Sequence, residues 1–213
     1  MANLRAINSL IQSLADWLQS SYAQARRPVN QGGGGHNFLP ENLRFAPVGS
    51  NALSTEALPD DAEIGNERVT IYLYRVSIDP HLRSAGRTRS PEMKPTPLSL
   101  HLHLLFSFWS EDASDDHLAV TWLMRQLHVF PVLDAAALNT EAKWEADEVV
   151  HLIPAELSNE DMMRLWDALT PSYRLSVSYI ARIVRIDPDE SDEAGPVVAR
   201  RLQFGEWKEE PTL

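Results

Sequence analysis

The sequence predicts an α+β fold: a mainly antiparallel sheet of long strands, with an N-terminal helix and two further helices packed on one face of it. Three observations predict it. Two uninterrupted runs, "RVTIYLYRVSI" at 68–78 and "LSLHLHLLFSFW" at 98–109, are rich in β-branched and aromatic residues and contain no turn residue. Three other segments carry apolar residues at steps of three and four. The order along the chain is helix, strands, helix, strand, helix, strands, without the regular alternation of a parallel α/β sheet.

Residues 3–24 form the first element. Leu4, Ile7, Leu10, Ile11, Leu14, Trp17 and Leu18 make one helical stripe, and Gln12, Ser13, Asp16 and Gln19 fall outside it. Pro28 ends the helix, and the four glycines at 32–35 have no fixed conformation of their own. Residues 41–47 read as a short strand, and 48–66 as a long loop rich in Ser, Asn, Asp and Gly. The strand at 68–78 stops at Asp79-Pro80, and 79–97 reads as an exposed connection.

The strand at 98–109 places Leu98, Leu100, Leu102, Leu104, Phe106 and Phe108 on one face. Ser99, His101, His103, Leu105, Ser107 and Trp109 share the other. Ser114, Asp115 and Asp116 mark the start of a helix whose face carries Leu118, Trp122, Leu123, Leu127 and Phe130, and Pro131 ends it. Residues 147–153 read as a strand. Ser158 caps the next helix, with Asp161 in the capping-box position and Met162, Leu165, Trp166 and Leu169 on its buried face. The run 172–186 is a long strand with Tyr173, Leu175, Val177, Tyr179 and Ile183 on one side. Residues 197–204 are placed to return as its hairpin partner. Residues 1–204 thus read as a single domain with loop insertions at 28–40, 48–66 and 79–97, followed by a flexible tail at 205–213. Strands of about 12 residues span about 40 Å, longer than most, and such strands project past their own core and seek partners.

Composition narrows the function. The 213 residues carry 19 Lys and Arg against 30 Asp and Glu, a net charge of −11. That balance repels nucleic acid and anionic membrane, so neither is a general partner. With no cysteine, disulfides, thiolate metal sites and cysteine nucleophiles are excluded. No apolar run is long enough to cross a bilayer, and Asn8, Gln12 and Asp16 interrupt any leader-like stretch. The expectation is a soluble protein made in the cytoplasm.

The residues that invite a chemical reading are the histidines. His101 and His103 lie on one strand face with Cα atoms about 7 Å apart. His-x-His on a strand is a zinc-ligand spacing, but a site needs a third ligand, and His151 is the only other strand histidine placed to supply it. A metal-dependent enzyme using His101, His103 and His151 is therefore the alternative to histidines that merely form a polar or interface-facing row. No phosphate-binding Gly-Lys-Ser/Thr ending follows the glycine run, and no Gly-x-Ser-x-Gly elbow is present. Candidate contact residues are the basic Arg83, Arg87 and Arg89, the pair Arg200 and Arg201, and Trp207, an aromatic in an acidic tail of the kind that anchors in a partner's groove.

Four blocks in order, "IYLYRVSIDPHLR" at 71–83, "PLSLHLHLLFSF" at 97–108, "LMRQLHVFPVLD" at 123–134 and "LSNEDMMRLWDALTPSYRLSVSYIARIV" at 157–184, carry a family pattern. With the helix in front of them, the chain resembles the cap, or tail-terminator, proteins of phage-tail-like contractile injection systems over about residues 3–187. The resemblance implies a fold similar to phage tail terminators and a structural role without catalysis or cofactor. It also implies partners: a homo-hexameric ring of the chain itself, the inner tube protein and the sheath protein. The place implied is the bacterial cytoplasm, within an assembled particle. The chain ends sooner after the shared blocks than the longer members do, and its glycine run and 48–66 segment are its own. Residues 197–213 are placed to add an edge strand to a sheath subunit.

Overall fold

The computed structural model describes residues 2–53, 68–79, 97–169 and 172–186. The apolar stripe near the N-terminus forms helix α1, Ala6–Arg26, with Leu10, Leu14 and Leu18 fully buried. Leu4, placed on that stripe by spacing, lies before the helix and is 77% exposed. Ser13, placed off the stripe, is buried instead. Its hydroxyl donates to the Ser9 carbonyl at 2.7 Å and accepts from the Asn139 backbone N–H at 2.8 Å. Ser9 bonds the Asn139 side chain and accepts from Trp144 Nε1 at 3.0 Å. Two buried serines are thus satisfied by one distant turn, which pins the first half of α1.

The glycine run folds back on the end of α1 and closes it. The Gly34, Gly35 and His36 N–H groups donate to the Gln24, Arg27 and Ala25 carbonyls at 3.1, 2.8 and 3.0 Å. Gly32 and Gly35 hold φ of +74° and +72°, and a Cβ at Gly33 would come within 2.2 Å of Arg27. Glycine is required there because these carbonyls lack helical partners and only a backbone without Cβ comes close enough.

Strand β1 is Arg44–Val48, and a short helix α2, Ser50–Leu53, follows it where a loop was expected. Strands β2, Arg68–Ile78, and β3, Leu98–Trp109, match the two long runs. Helix α3 spans Ala113–Val129, capped one residue before its start by Asp112, whose carboxylate accepts from the Ser114 N–H at 2.9 Å. A three-residue strand β4, Val132–Asp134, was not anticipated; it precedes β5, Val149–Pro154. Helix α4 covers Asn159–Asp167, and β6 covers Ser176–Ile186. Residues 54–67, 80–96 and 187–213 lie outside the described residues, and with them the hairpin partner at 197–204 and the tail.

Among the described residues the strands form one six-stranded sheet in the order β1-β2-β3-β6-β5-β4. It is mainly antiparallel, as the sequence predicts, but β1 runs parallel to β2. The long connection between these two strands permits that direction; a short hairpin would not. One face of the sheet presents Val69, Ile71 and Leu73 of β2 beside Phe108, Phe106 and Leu104 of β3. They bury against Leu10, Leu14 and Leu18 of α1 and Trp122, Leu123 and Leu127 of α3. Each long strand pair has one irregularity: the register shifts between Leu73 and Arg75 on β2, and opposite Leu100 and Leu102 on β6. Beyond the second shift, buried Val184 pairs with Leu100, so the odd-numbered face read from the sequence changes parity before 184.

The helices do not all pack on one face. Leu105 points away from the main core and gathers Leu53 of α2, Trp166 of α4 and Leu169 into a second cluster, with Tyr72, Tyr74 and Trp109 around it. Trp109 Nε1 donates to Thr70 Oγ1 at 3.0 Å, and its ring lies 6.2 Å from that of Trp166 and under the Arg174 guanidinium at 5.2 Å. The apolar residue on an otherwise polar strand face is the reason a second layer forms. At the start of α4, Ser158 accepts from the Asp161 N–H at 3.1 Å and donates its hydroxyl to the Asp161 carboxylate at 2.7 Å. Ser158→Ala should therefore weaken the hold of this short helix by about 0.5–2 kcal/mol. In hydrogen exchange, α4 amides lose protection while those of β3 do not.

Candidate functional site

The histidine face of β3 is the polar row the sequence singles out. Arg75 of β2 sits opposite His103, and Ser77 opposite His101. His103 Nε2 and Ser77 Oγ lie 2.9 Å apart, and the Tyr74 ring meets the imidazole edge-on at 5.8 Å. The Tyr74 hydroxyl in turn lies 3.0 Å from Ser178 Oγ on β6. Asp79 ends β2 by donating its N–H to the Ser99 carbonyl at 3.0 Å, which brings its buried carboxylate to 3.6 Å from His101 Nε2. Asp79 and Ser77 were not singled out from sequence; the alternation that placed His101 and His103 on one face would also have placed Ser77 beside them, had the pairing register been known.

Burial, then the Arg75 charge, then His101 lower the pKa of His103 from its ordinary 6.5. The neutral ring is the form this fold favours. Stability that depends on it is complete above the ordinary value and is lost as pH falls through the lowered folded value. The expected result is that the wild-type melting temperature falls between about pH 7.5 and about pH 5 more steeply than that of His103→Gln. Parallel lines for the two proteins would contradict it.

His151 does not complete a metal site. It lies on β5 opposite Arg182 of β6, and β6 stands between β5 and β3. Strand spacing alone puts His151 about 10 Å from the His101–His103 row, whereas zinc holds each nitrogen at about 2 Å. Among the described residues, no three His, Asp or Glu side chains come together to hold a metal ion. The triad His101, His103 and His151 is therefore corrected to two clustered histidines and one remote one. Arg83, Arg87, Arg89, Arg200, Arg201 and Trp207 lie outside the described residues.

The end of β2 and the first residue of β3 stay uncovered. Val76 and Ile78 of β2 and Leu98 of β3 are 45%, 51% and 45% exposed, although Val76 and Ile78 pair with buried Leu102 and Leu100. Helices α1 and α3 cover the middle of the sheet and leave this tip open, while Ala2 crosses to Ile186 at its far side. The result is an apolar patch on the face of the sheet opposite the histidine row. Among the described residues, no helix is long and apolar enough to cross a membrane.

A long-stranded mixed sheet with helices on both faces and an open apolar tip defines the class: an α+β domain. The chain belongs to the Pvc16 N-terminal domain family, whose model matches residues 10–200. The resemblance to caps and tail terminators of contractile injection systems, carried by the four sequence blocks, thus holds at the level of the family. Two solved structures are similar to it. One is the sheath/tube terminator of PVC, an extracellular contractile injection system, in its extended state. It matches at 18% identity and a TM-score of 0.41, over 81% of this chain and 59% of that one. The other is the tube-terminating cap of the anti-feeding prophage, at 16% identity and a TM-score of 0.40, over 70% of this chain and 52% of that one. The chain thus spans between half and two thirds of the length of either. No curated protein matches it.

Proposed function

We propose that this chain is a tail terminator of a contractile injection particle. It forms a ring, six copies in the simplest case, on the distal end of the inner tube and sheath, stops their polymerisation and couples one to the other. Its partners are then further copies of itself, the tube protein and the sheath protein, and assembly takes place in the bacterial cytoplasm. It works as one domain over 1–204, without catalysis or cofactor. Arg83, Arg87 and Arg89 in the 79–97 insertion, Arg200 and Arg201 near the end of the domain and Trp207 in the tail serve as contacts. The observation that supports this reading is the match of residues 10–200 to the Pvc16 N-terminal domain. The apolar tip of β2 and β3 agrees with it, because projecting strands with exposed Val76, Ile78 and Leu98 suit a docking surface better than a solvated one.

Epitope-tagged protein imaged on purified particles tests the location. Label at one end of each particle supports the reading, and label along the shaft or none at all contradicts it. Deleting 205–213 should loosen the sheath from the tube end while the domain stays folded. Unchanged sheath attachment would remove the tail from the contact.

A further inference from the structure

The two lateral edges of the sheet carry opposite charge. Helix α1 crosses the sheet from one edge to the other. Its first half is bonded to Asn139 beside β4, and its second half to the β1 side through Gln19 and Phe45, Tyr22 and Pro40, and Arg26 and Glu41. The crossing gathers Arg26 and Arg27 of the helix end with Arg44 of the edge strand β1. Between them lies an open groove of about 620 Å³ lined by Gln19, Ala23, Arg27 and Arg44. Arg26 is held by Glu41 at 3.1 Å. Arg27 and Arg44 are exposed and make no ion pair among the described residues. At the opposite edge, β4 and the turn after it present Asp134, Glu141, Glu145 and Asp147, all exposed. Among the described residues, Lys143 and Arg5 are the basic side chains on that side.

The groove does not suit a small anion. It lies at the C-terminal end of α1, where the helix dipole opposes negative charge, and it is broad and open. It suits an extended surface bearing several carboxylates. Pairing of the edge strands does not explain the contact either, since β1 carries Pro47, which has no N–H, and β4 has three residues. What remains is side-chain complementarity between two different edges of the same chain, which is the requirement for head-to-tail association. We propose that the Arg26, Arg27 and Arg44 edge of one copy docks on the Asp134, Glu141 and Asp147 edge of the next. This rests on the ring reading and names its subunit contact. A chain of net charge −11 repels its own copies at long range, and this local match of opposite patches counters that repulsion at contact.

The absence of cysteine allows a direct test. Cysteine is placed at Ala23 in the groove and at Ala146 beside Asp147 in one chain, which is then treated with a short bis-maleimide at low salt. A ladder of covalent oligomers is expected from A23C/A146C, and none from A23C or A146C alone. Adding R27E and R44E should reduce the ladder by about tenfold, and adding E141K and D147K to that variant should restore it. Circular dichroism confirms that each variant is folded; all the substituted side chains are exposed. No ladder from the double-cysteine chain, or a ladder indifferent to the charge reversals, overturns the proposal. A charge-dependent ladder from a protein that leaves tube ends unaffected would sink the terminator reading and leave this interface standing.

Discussion

Alanine in place of Trp122 is expected to lower the unfolding free energy by about 3–5 kcal/mol, the largest loss from any single substitution considered. Trp122 is 3% exposed and sits where α1, β1 and α3 meet. The Tyr22 ring meets it edge-on at 4.8 Å and 87°, and Phe45 lies 5.7 Å away. Tyr22 is itself fixed by donating its hydroxyl to the Pro40 carbonyl at 2.8 Å. Removing the central ring leaves a cavity that neither neighbour can close, because one is tethered and the other is on a strand. Domains of this size hold about 5–15 kcal/mol in total, so the variant should be close to unfolded at room temperature in mild urea. Trp17→Ala is the control. Trp17 is only partly buried and meets Phe130, itself exposed, at 6.4 Å. It should lose markedly less. Equal losses in urea titrations of the two would contradict the three-ring core.

The second large effect falls on assembly. Val76→Asp combined with Ile78→Asp should weaken binding to tube ends by at least about tenfold, the loss typical of a removed apolar anchor, and leave the melting temperature nearly unchanged. Both side chains are about half exposed at the end of β2, so charging them deletes an apolar patch and disturbs little packing. A carboxylate there also cannot enter an apolar partner surface without being desolvated. Leu104→Ala, one pair inward and fully buried, should do the reverse and destabilise the fold first. If the Val76 and Ile78 variant caps as well as wild type, the tip is solvent-facing in the particle.

Much of the local structure was legible in the sequence because local signals agreed with tertiary need. The run 68–78 forms β2 over the same residues, since β-branched residues stop where Asp79-Pro80 begins. Ser158 and Asp161 marked the start of α4 because the cap is made within four residues. Pairing was less legible. The parallel direction of β1, the three-residue β4 and the shift that brings Val184 opposite Leu100 all depend on neighbours far along the chain. Ser13 looked like a solvent-facing position because its partner, Asn139, is remote in sequence. The glycine run looked structureless because its hydrogen bonds go to carbonyls of the preceding helix. For the site, alternation placed His101 and His103 correctly on the polar face. It could not show that β6 separates them from His151, nor that Asp79 closes the row. The basic edge was hidden for the same reason, since Arg27 and Arg44 meet only once α1 has crossed the sheet.

On the proposed reading, this chain ends a tube. The most direct measurement is the length distribution of tubes polymerised from purified tube protein, with this chain absent and then present at a few copies per tube end. The added chain should arrest growth, shorten the distribution and sit at one tube end in electron micrographs. An unchanged distribution, or protein bound evenly along the tube wall, would contradict it.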